Sequence, residues 1–322
     1  MSQAHPYHPT HTAILDWYTH HGRHDLPWRQ MRDPYRIYLS EIMLQQTQVV
    51  TVLERFYFPF LERFPTLADV ANAPEEAVLK AWEGLGYYTR ARNLHVTAKQ
   101  TQGLLPQTAA ELEQLPGIGR STAAAIACFA YGEAVPILDA NVRRILYRFF
   151  RRRTAKTPEL WQMAERLFDP AHPYEYNQAM MDIGASICTP KNPQCSVCPL
   201  SSQCRGSAIP ERYPAPRFKK IKPVRRRIMW IFTDGERYGV RKGETRLLGG
   251  LYGFPQSEGD LVGTFLGEVR HHYSHFTLEG RVVLTDECPE EKVEMYPLDA
   301  IEDLPLSTAD KKALELLKHH LS

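Results

Sequence analysis

The stretch Leu115-Pro116-Gly117-Ile118-Gly119-Arg120-Ser121 decides the fold, because it joins two segments of helical sequence through a glycine-rich turn. The pattern predicts one helix over 108–114 and another over 121–131. Two glycines allow backbone N–H groups to approach an anion, and the second helix presents its positive N-terminus there. The stretch therefore predicts a helical hairpin that binds phosphate.

A carboxylate follows the hairpin at a fixed distance. Asp139 lies twenty residues after Gly119, between an apolar run and the start of another predicted helix. In this position a carboxylate is either the N-cap of the helix or a functional acid. The local pattern leaves both possibilities open.

Four of the six cysteines lie within seventeen residues, at positions Cys188, Cys195, Cys198 and Cys204. Without an export signal, such a cluster is expected to bind metal in a reducing compartment rather than to form disulfides. The compact spacing favours one iron–sulfur cluster, with structural zinc as the alternative. Purified protein that is yellow-brown and absorbs at about 400 nm would distinguish the cluster from colourless zinc.

Charge divides the chain into three parts, although the net charge is only +2. Residues 1–213 carry a net +2 and a helical pattern, whereas residues 228–322 carry a net −7 and strand–turn patterns. Between them, residues 214–227 hold seven basic and no acidic side chains, with three prolines. We predict a mainly α fold with a smaller α+β domain after this basic linker, which is either a solvated tether or a phosphate-contacting strap.

Composition excludes several classes of protein. A chain with 43% hydrophobic and 24% charged residues is ordinary for a globular protein. The longest apolar run, 122–131, is half the length that a transmembrane helix needs, and the N-terminus has no signal-peptide pattern. We therefore expect a cytoplasmic monomer, associated with the nucleoid if the source is bacterial, and no membrane partner.

Taken together, these motifs point to a known family. The hairpin, Asp139 and the four-cysteine loop resemble the helix–hairpin–helix, Gly/Pro-rich, aspartate superfamily of DNA base-excision glycosylases. Within it the chain closely resembles the MutY adenine DNA glycosylases. The resemblance runs from about Leu26 to Cys204, and more weakly into the C-terminal part. The stretches that carry it are 26–29, 40–47, 84–88, 115–121 and 177–182.

The resemblance implies a helical catalytic domain, a six-helix barrel plus a 4Fe–4S module, and a chemistry. The enzyme would excise adenine opposite 8-oxoguanine or guanine in duplex DNA. Glu41, which lies among apolar residues, would protonate adenine at N7, because burial raises a carboxyl pKa. On local pattern alone it could equally be a solvent-facing helix position. Asp139 would stabilise the sugar cation and Asn141 would hold that carboxylate.

Ser121 separates close relatives. Bifunctional members of the superfamily carry a lysine there, whose amine attacks the sugar, and serine cannot form that Schiff base. We therefore predict a monofunctional enzyme without strong lyase activity. Ala140 departs from the usual glycine and would be strained if its φ were positive.

Further positions match residues that contact DNA or the flipped base. The residues that match the adenine pocket are Trp28, Arg29, Leu44, Gln178 and Asp182. Those expected to contact DNA are Gln46, Tyr87, Gly117, Gly119, Arg120 and Lys191. For Tyr87, ordinary packing is the alternative to a wedge.

The C-terminal part resembles the MutT-like (Nudix-related) domain of this family, but it lacks the Glu-rich diphosphohydrolase motif. The stretch 271–276 corresponds to the family's Phe-Ser-His loop, which recognises 8-oxoguanine. Tyr273, Ser274 and His275 would therefore read the lesion, with Tyr273 in place of the usual phenylalanine. The alternative is a histidine-rich hairpin without a ligand.

Two other functions compete with adenine excision. An endonuclease III-like glycosylase for oxidised pyrimidines shares most of the motifs, but Ser121 and the second domain argue against it. A non-catalytic iron–sulfur protein that binds DNA or transfers electrons would need neither Glu41 nor Asp139.

Overall fold

The computed structural model describes residues 7–216, 221–243, 248–259, 262–287 and 293–322. The chain forms two compact units, one of residues 1–45 and 105–218 and the other of residues 46–104 and 219–322. This spatial division groups residues 46–104 with the C-terminal part. The domain boundaries predicted above follow composition along the chain and stay a prediction.

Helices form most of the first unit and the first half of the second. In the first unit they are α1 (His8–His21), α2 (Pro34–Met43), α8 (Ala109–Leu112), α9 (Arg120–Tyr131), α10 (Ala140–Phe149), α11 (Thr157–Leu167) and α12 (Pro173–Ser186). In the second unit they are α3 (Val49–Arg55), α4 (Tyr57–Arg63), α5 (Leu67–Asn72), α6 (Glu75–Ala81), α7 (Thr89–Gln100), α13 (Leu298–Asp303) and α14 (Thr308–Leu321). Short 3-10 helices span Pro27–Arg29, Cys195–Val197 and Pro210–Arg212.

Helices α2 and α14 each begin directly after a residue whose side chain caps the helix. The Asp33 side chain accepts a hydrogen bond from the Arg36 N–H, and Pro34 occupies the first position of α2. Ser307 caps α14 in the same way, by accepting from the Asp310 N–H at 3.2 Å.

The core of the first unit is formed where helices pack on α9 and α12. Residues 123–129 of α9 are all buried, because small alanines and Ile126 let neighbouring helices approach closely. Ile37 of α2 packs in the same cluster as Phe129 and Ile137. This packing brings α2 and the start of α10 towards the same part of the first unit.

The seven strands found in the described part of the chain all belong to the second unit. They are β1 (Val224–Thr233), β2 (Tyr238–Lys242), β3 (Tyr252–Gly253), β4 (Gln256–Ser257), β5 (Thr264–His272), β6 (Thr277–Thr285) and β7 (Glu294–Tyr296). The order is β3-β2-β1-β6-β5, with β4 on β1 and β7 on β2. Strands β1 and β6 are parallel, and the other pairs are antiparallel. The predicted fold, mainly α with a smaller α+β part, is confirmed.

Strand β1 begins four residues before the strand expected from residue 228. Its first residues pair with β6 from Val224↔Thr277 onwards, and Arg226 forms an ion pair of 3.3 Å with Glu279. Cross-strand pairing and this carboxylate offset the repulsion between the three consecutive arginines. The basic end of the predicted linker is therefore part of the sheet.

Candidate active site

Glu41 lies near the end of α2, and its surroundings favour the protonated acid. Burial, with a smaller contribution from the negative charge of Asp139, raises the pKa of its carboxyl from 4.5 to about 7, and the positive charge of Arg29 opposes this rise. The Glu41 side chain makes no hydrogen bond to any residue that the structure describes. Its proton is thus available for a bound molecule.

Asp139 is the N-cap of α10, as one of the two open interpretations predicted. Its Oδ1 accepts a hydrogen bond of 2.7 Å from the Val142 N–H. Burial raises the pKa of Asp139, while the backbone N–H groups of Val142 and Asn141 and the Asn141 side chain oppose that rise. Asp139 therefore has donors that favour its ionised form, whereas Glu41 has none among the described residues.

The extended segment that leads to Asp139 is held by two neighbouring helices. The Ser121 Oγ of α9 accepts a hydrogen bond of 3.2 Å from the Leu138 N–H. On the other side, the Asn177 Oδ1 of α12 accepts one of 3.0 Å from the Ile137 N–H. Ser121 therefore anchors the backbone next to Asp139.

Asn141 is positioned by residues that the sequence pattern did not single out. Arg144 donates to the Asn141 Oδ1 at 2.9 Å and to the carbonyl oxygens of Gly184 and Cys188, each at 2.6 Å. Gly184 of α12 lies so close that a Cβ added there would be 2.5 Å from the Asn141 Cβ. The i, i+3 spacing of Asn141 and Arg144 on a helix could have indicated their contact from the sequence. The contact between Gly184 and Asn141 joins two helices far apart in the chain, and no local sequence pattern indicates it.

Four of the residues predicted to form the adenine pocket are buried or tied together in the first unit. Arg29 donates to both Asp182 oxygens, at 2.6 and 2.9 Å, and Arg23 donates to the same carboxylate. Although burial opposes it, this pairing lowers the pKa of Asp182. Gln178 is 3% exposed, and its Oε1 has no hydrogen-bond partner among the described residues. Trp28 is also buried.

Leu44, the fifth pocket residue, follows directly after α2 and is partly exposed. Ala140, the departure noted above, is the first residue of α10, and it is not among the described residues with positive φ. The strain that a positive φ would have imposed on alanine is therefore absent.

The predicted hairpin is present, with α8 before the turn and α9 after it. Gly117 has a φ of 76°, and both Gly117 and Gly119 are exposed. No heavy atom lies within 4 Å of a Cβ built at Gly119, so its backbone is open to an approaching ligand. Arg120 is held sideways, 3.9 Å above the ring of Trp161 and paired with Glu165 at 2.9 Å.

Gln46 and Tyr87 belong to the second unit and share a rare backbone conformation. Their φ values are 61° and 51°, in the left-handed region that costs a side-chain-bearing residue about 1–3 kcal/mol. Tyr87 is 44% exposed, and Gln46 is exposed as well. Backbone strain of this kind is often found at positions that contact a ligand.

The stretch 271–276 connects β5 and β6 through a tight turn closed by the Tyr273 N–H and the Phe276 carbonyl oxygen at 2.9 Å. Ser274 and His275 are exposed at its tip. Tyr273 is turned inwards, and its ring stacks on Phe276 with centroids 4.7 Å apart. Only two of the three predicted lesion-reading residues are thus freely accessible.

The four clustered cysteines line one cavity, together with apolar residues of α10. Among the described residues, no three His, Cys, Asp or Glu side chains lie close enough to hold a single metal ion. Four cysteine thiols that line one cavity are the donor set that an iron–sulfur cluster requires.

Arg148 places a positive charge beside the cysteine loop, where it would stabilise negatively charged sulfur. Its guanidinium donates to the Cys188 Sγ at 3.3 Å and to the Thr189 carbonyl oxygen at 2.8 Å. Burial raises the pKa of Cys198 to about 12, so its thiolate requires a cationic centre to be stable. Lys191, predicted to contact DNA, is exposed on the same loop. Cys128 is buried elsewhere in the first unit, and Cys288 lies outside the described residues.

No helix in the described ranges is long and apolar enough to span a bilayer.

Comparison with known proteins agrees with this arrangement. Residues 39–169 match the HhH-GPD superfamily of base excision DNA repair proteins, and residues 188–204 match the iron-sulfur binding domain of endonuclease III. The second match confirms the predicted 4Fe–4S cluster. A thermostable thymine-DNA glycosylase of known structure is similar, with a TM-score of 0.57 and 30% identity over 61% of this chain and 94% of that one.

Two adenine DNA glycosylases are similar in sequence. One from Buchnera aphidicola subsp. Baizongia pistaciae is 45% identical over 60% of this chain, but the match spans only 57% of that protein. Another, from Buchnera aphidicola subsp. Schizaphis graminum, is 34% identical over 95% of this chain and 97% of its own length. The chain therefore belongs to the adenine DNA glycosylase family of the HhH-GPD superfamily.

Proposed function

We propose that this chain is a monofunctional adenine DNA glycosylase that removes adenine opposite 8-oxoguanine or guanine in duplex DNA. The observation that carries the proposal is the carboxyl pair. Glu41 has a pKa of about 7 and no hydrogen-bond partner among the described residues, whereas Asp139 accepts a hydrogen bond from the Val142 N–H. Two carboxyls with different environments can act as acid and as anionic stabiliser.

In the proposed reaction, the flipped adenine binds beside Glu41, which donates its proton to N7 of the base. Protonation makes the base a better leaving group, and the N-glycosidic bond breaks with both bonding electrons moving to adenine. Asp139 stabilises the positive charge that develops on the sugar, and water then adds to the sugar carbon. The unpaired Gln178 Oε1 is suited to accept a hydrogen bond from the exocyclic amine of adenine.

Cys188, Cys195, Cys198 and Cys204 would hold the cluster, which would fix the shape of the loop 188–204 rather than take part in base removal. Lys191 is exposed on that loop and would contact the phosphate backbone together with the hairpin glycines. Ser274 and His275, at the tip of the β5–β6 turn, would contact 8-oxoguanine.

Single-turnover cleavage of four duplexes tests this function. We expect rapid adenine release opposite 8-oxoguanine, slower release opposite guanine and little opposite thymine. A duplex that contains thymine glycol is the control for the endonuclease III-like alternative, and it should remain intact. Release of the oxidised pyrimidine without adenine release would contradict the proposal, and so would strand cleavage at the rate of base removal.

The lesion-reading role of the turn is tested separately. Ser274→Ala should lower the ratio of the rate with 8-oxoguanine:adenine to the rate with guanine:adenine, by about 3- to 10-fold for one lost hydrogen bond. An unchanged ratio would support the alternative of a hairpin without a ligand.

A further inference from the structure

The basic end of the linker, residues 221–227, contains basic side chains with different kinds of partner. Arg226 forms an ion pair of 3.3 Å with Glu279, its neighbour on β6. Lys222 and Arg225 are exposed, and they form no ion pair with a carboxylate in the described ranges. Both contact the β5–β6 turn of the same unit instead.

Lys222 binds the backbone of the turn. Its Nζ donates a hydrogen bond of 3.0 Å to the Tyr273 carbonyl oxygen. The Tyr273 N–H donates to the Phe276 carbonyl oxygen at 2.9 Å, and this bond closes the turn. Directly after the turn, the Thr277 N–H donates to the Pro223 carbonyl oxygen at 2.9 Å, next to the first paired residues of β1 and β6. Both polar backbone groups of Tyr273 are therefore held, one within the turn and one by the linker.

Arg225 contacts the other side of the turn through its guanidinium. The Arg225 Cζ lies 4.2 Å above the centroid of the buried Phe276 ring. The Phe276 ring stacks in turn on Tyr273, and the His271 ring lies edge-on to Tyr273 with centroids 4.5 Å apart. A cation this close to an aromatic ring is attracted to the face of the ring. Arg225 therefore stabilises the group of packed rings at the base of the turn.

These two contacts lie on either side of the exposed tip of the turn. Ser274 follows the residue whose carbonyl group Lys222 binds, and His275 precedes the residue whose ring Arg225 contacts. A binding loop that is already held in the free protein loses less conformational entropy when it binds its ligand. The linker thus restricts the part of the second unit to which contact with 8-oxoguanine is assigned.

We propose that Lys222 and Arg225 are positioning residues that hold the lesion-reading turn in the shape that binds 8-oxoguanine. The inference rests on the proposed function, because it concerns the preference for 8-oxoguanine over guanine opposite adenine. It gives the basic end of the linker a role different from both a solvated tether and a phosphate-contacting strap.

Methionine substitutions test the proposal, because methionine keeps an unbranched side chain and removes both the donor and the charge. Lys222→Met and Arg225→Met should each lower the ratio of single-turnover rates, 8-oxoguanine:adenine over guanine:adenine, by about 2- to 5-fold. Lys222→Arg should keep the wild-type ratio, since its guanidinium can donate to the same carbonyl oxygen. The melting temperature should change little, because both side chains are exposed.

Arg226→Met is the matched control, because it removes one positive charge from the same segment and its ion pair is with Glu279, beyond the turn. It should leave the ratio unchanged. A phosphate contact predicts a different result, since its loss weakens binding to both duplexes equally and reduces the salt dependence of binding. Equal losses on both duplexes in Lys222→Met and Arg225→Met, an unchanged ratio, or the same fall in Arg226→Met would each overturn the proposal.

Hydrogen exchange of the DNA-free protein gives a readout that does not need activity. The double variant Lys222→Met/Arg225→Met should increase amide exchange in residues 273–276, and Arg226→Met should not. If the wild-type protein shows no preference for 8-oxoguanine, or if Ser274→Ala leaves that preference unchanged, the lesion-reading function fails. The exchange experiment then decides whether the two cations hold the turn, and unchanged exchange in 273–276 would show that they do not.

Discussion

Asp310 in the second unit is a buried carboxyl and Glu41 in the first unit is a partly buried one, and their surroundings differ. Burial raises the pKa of Glu41 to about 7 and that of Asp310 to about 6. Asp310 accepts hydrogen bonds from Ser307 and from the Phe254 N–H. The carboxyl of Glu41 has no such partner within the described part of the chain.

The comparison teaches that a raised pKa alone does not identify a proton donor. Burial raises the pKa of both groups, but only one of them retains hydrogen-bonding capacity for a substrate. The hydrogen-bonding capacity of Asp310 is used within the protein, because its carboxylate connects the start of α14 to the backbone of Phe254. Glu41 is next to a second carboxyl, which is what acid-assisted cleavage requires.

The sharpest test is therefore to neutralise each carboxyl in turn. Glu41→Gln should lower the single-turnover rate of adenine release by at least about 100-fold, the usual contribution of a general acid. Asp310→Asn should lower the free energy of unfolding by about 1–3 kcal/mol, without a comparable loss of rate in the folded protein. Equal rate losses in the two variants would remove the distinction between them.

Asp139 allows its two roles to be separated. Asn is as good an N-cap as Asp, so Asp139→Asn should keep the helix start and change the melting temperature little. The rate of adenine release should fall about 100-fold, because a neutral amide cannot stabilise a cationic sugar. A variant that is unstable but catalytically normal would indicate that Asp139 is only a cap.

Much of this site could be predicted from local sequence. The glycines between two apolar-patterned helices predicted the hairpin, and the apolar run before Asp139 predicted a helix start there. The proximity of Glu41 and Asp139 was available only through the family resemblance. It arises because α2 and the segment before α10 both pack on α9, and such long-range packing leaves no periodic signal.

Other features depend entirely on tertiary contacts. The early start of β1 depends on parallel pairing with β6, which lies about fifty residues later in the chain. The inward position of Tyr273 depends on its stacking against Phe276 and on its packing against the core of the sheet, which the local sequence does not reveal. Arg144 and Gly184 were missed for the same reason.

The pH dependence offers a weaker but independent test of the comparison. The rate of adenine release should fall about tenfold per pH unit above pH 7, as Glu41 loses its proton, and Asp310→Asn should keep that profile. If the fall in rate above pH 7 disappeared in Asp310→Asn, Asp310 rather than Glu41 would be the proton donor.

Stability should respond to the same proton. Because the folded pKa of Glu41 is raised above its ordinary 4.5, the stabilisation from the protonated form is complete below that pH and is lost as pH rises to about 7. Relative to Glu41→Gln, the wild-type free energy of unfolding should therefore drop by roughly 1–3 kcal/mol over this range. Parallel stability curves for the two proteins would contradict the raised pKa.

The smallest expected effect concerns the packing that holds Asn141 beside Asp139. In Gly184→Ala, the new Cβ would lie 2.5 Å from the Asn141 Cβ, so either α12 or the start of α10 must move. Because small displacements at a reacting centre slow catalysis, the rate of adenine release should fall up to about tenfold, although alanine favours a helix over glycine. Ala185→Gly, at the exposed neighbouring position, is the control: it should lower the melting temperature and leave the rate unchanged. A Gly184→Ala protein that is more stable and equally fast would mean that α12 yields freely and that the position of Asn141 is not critical.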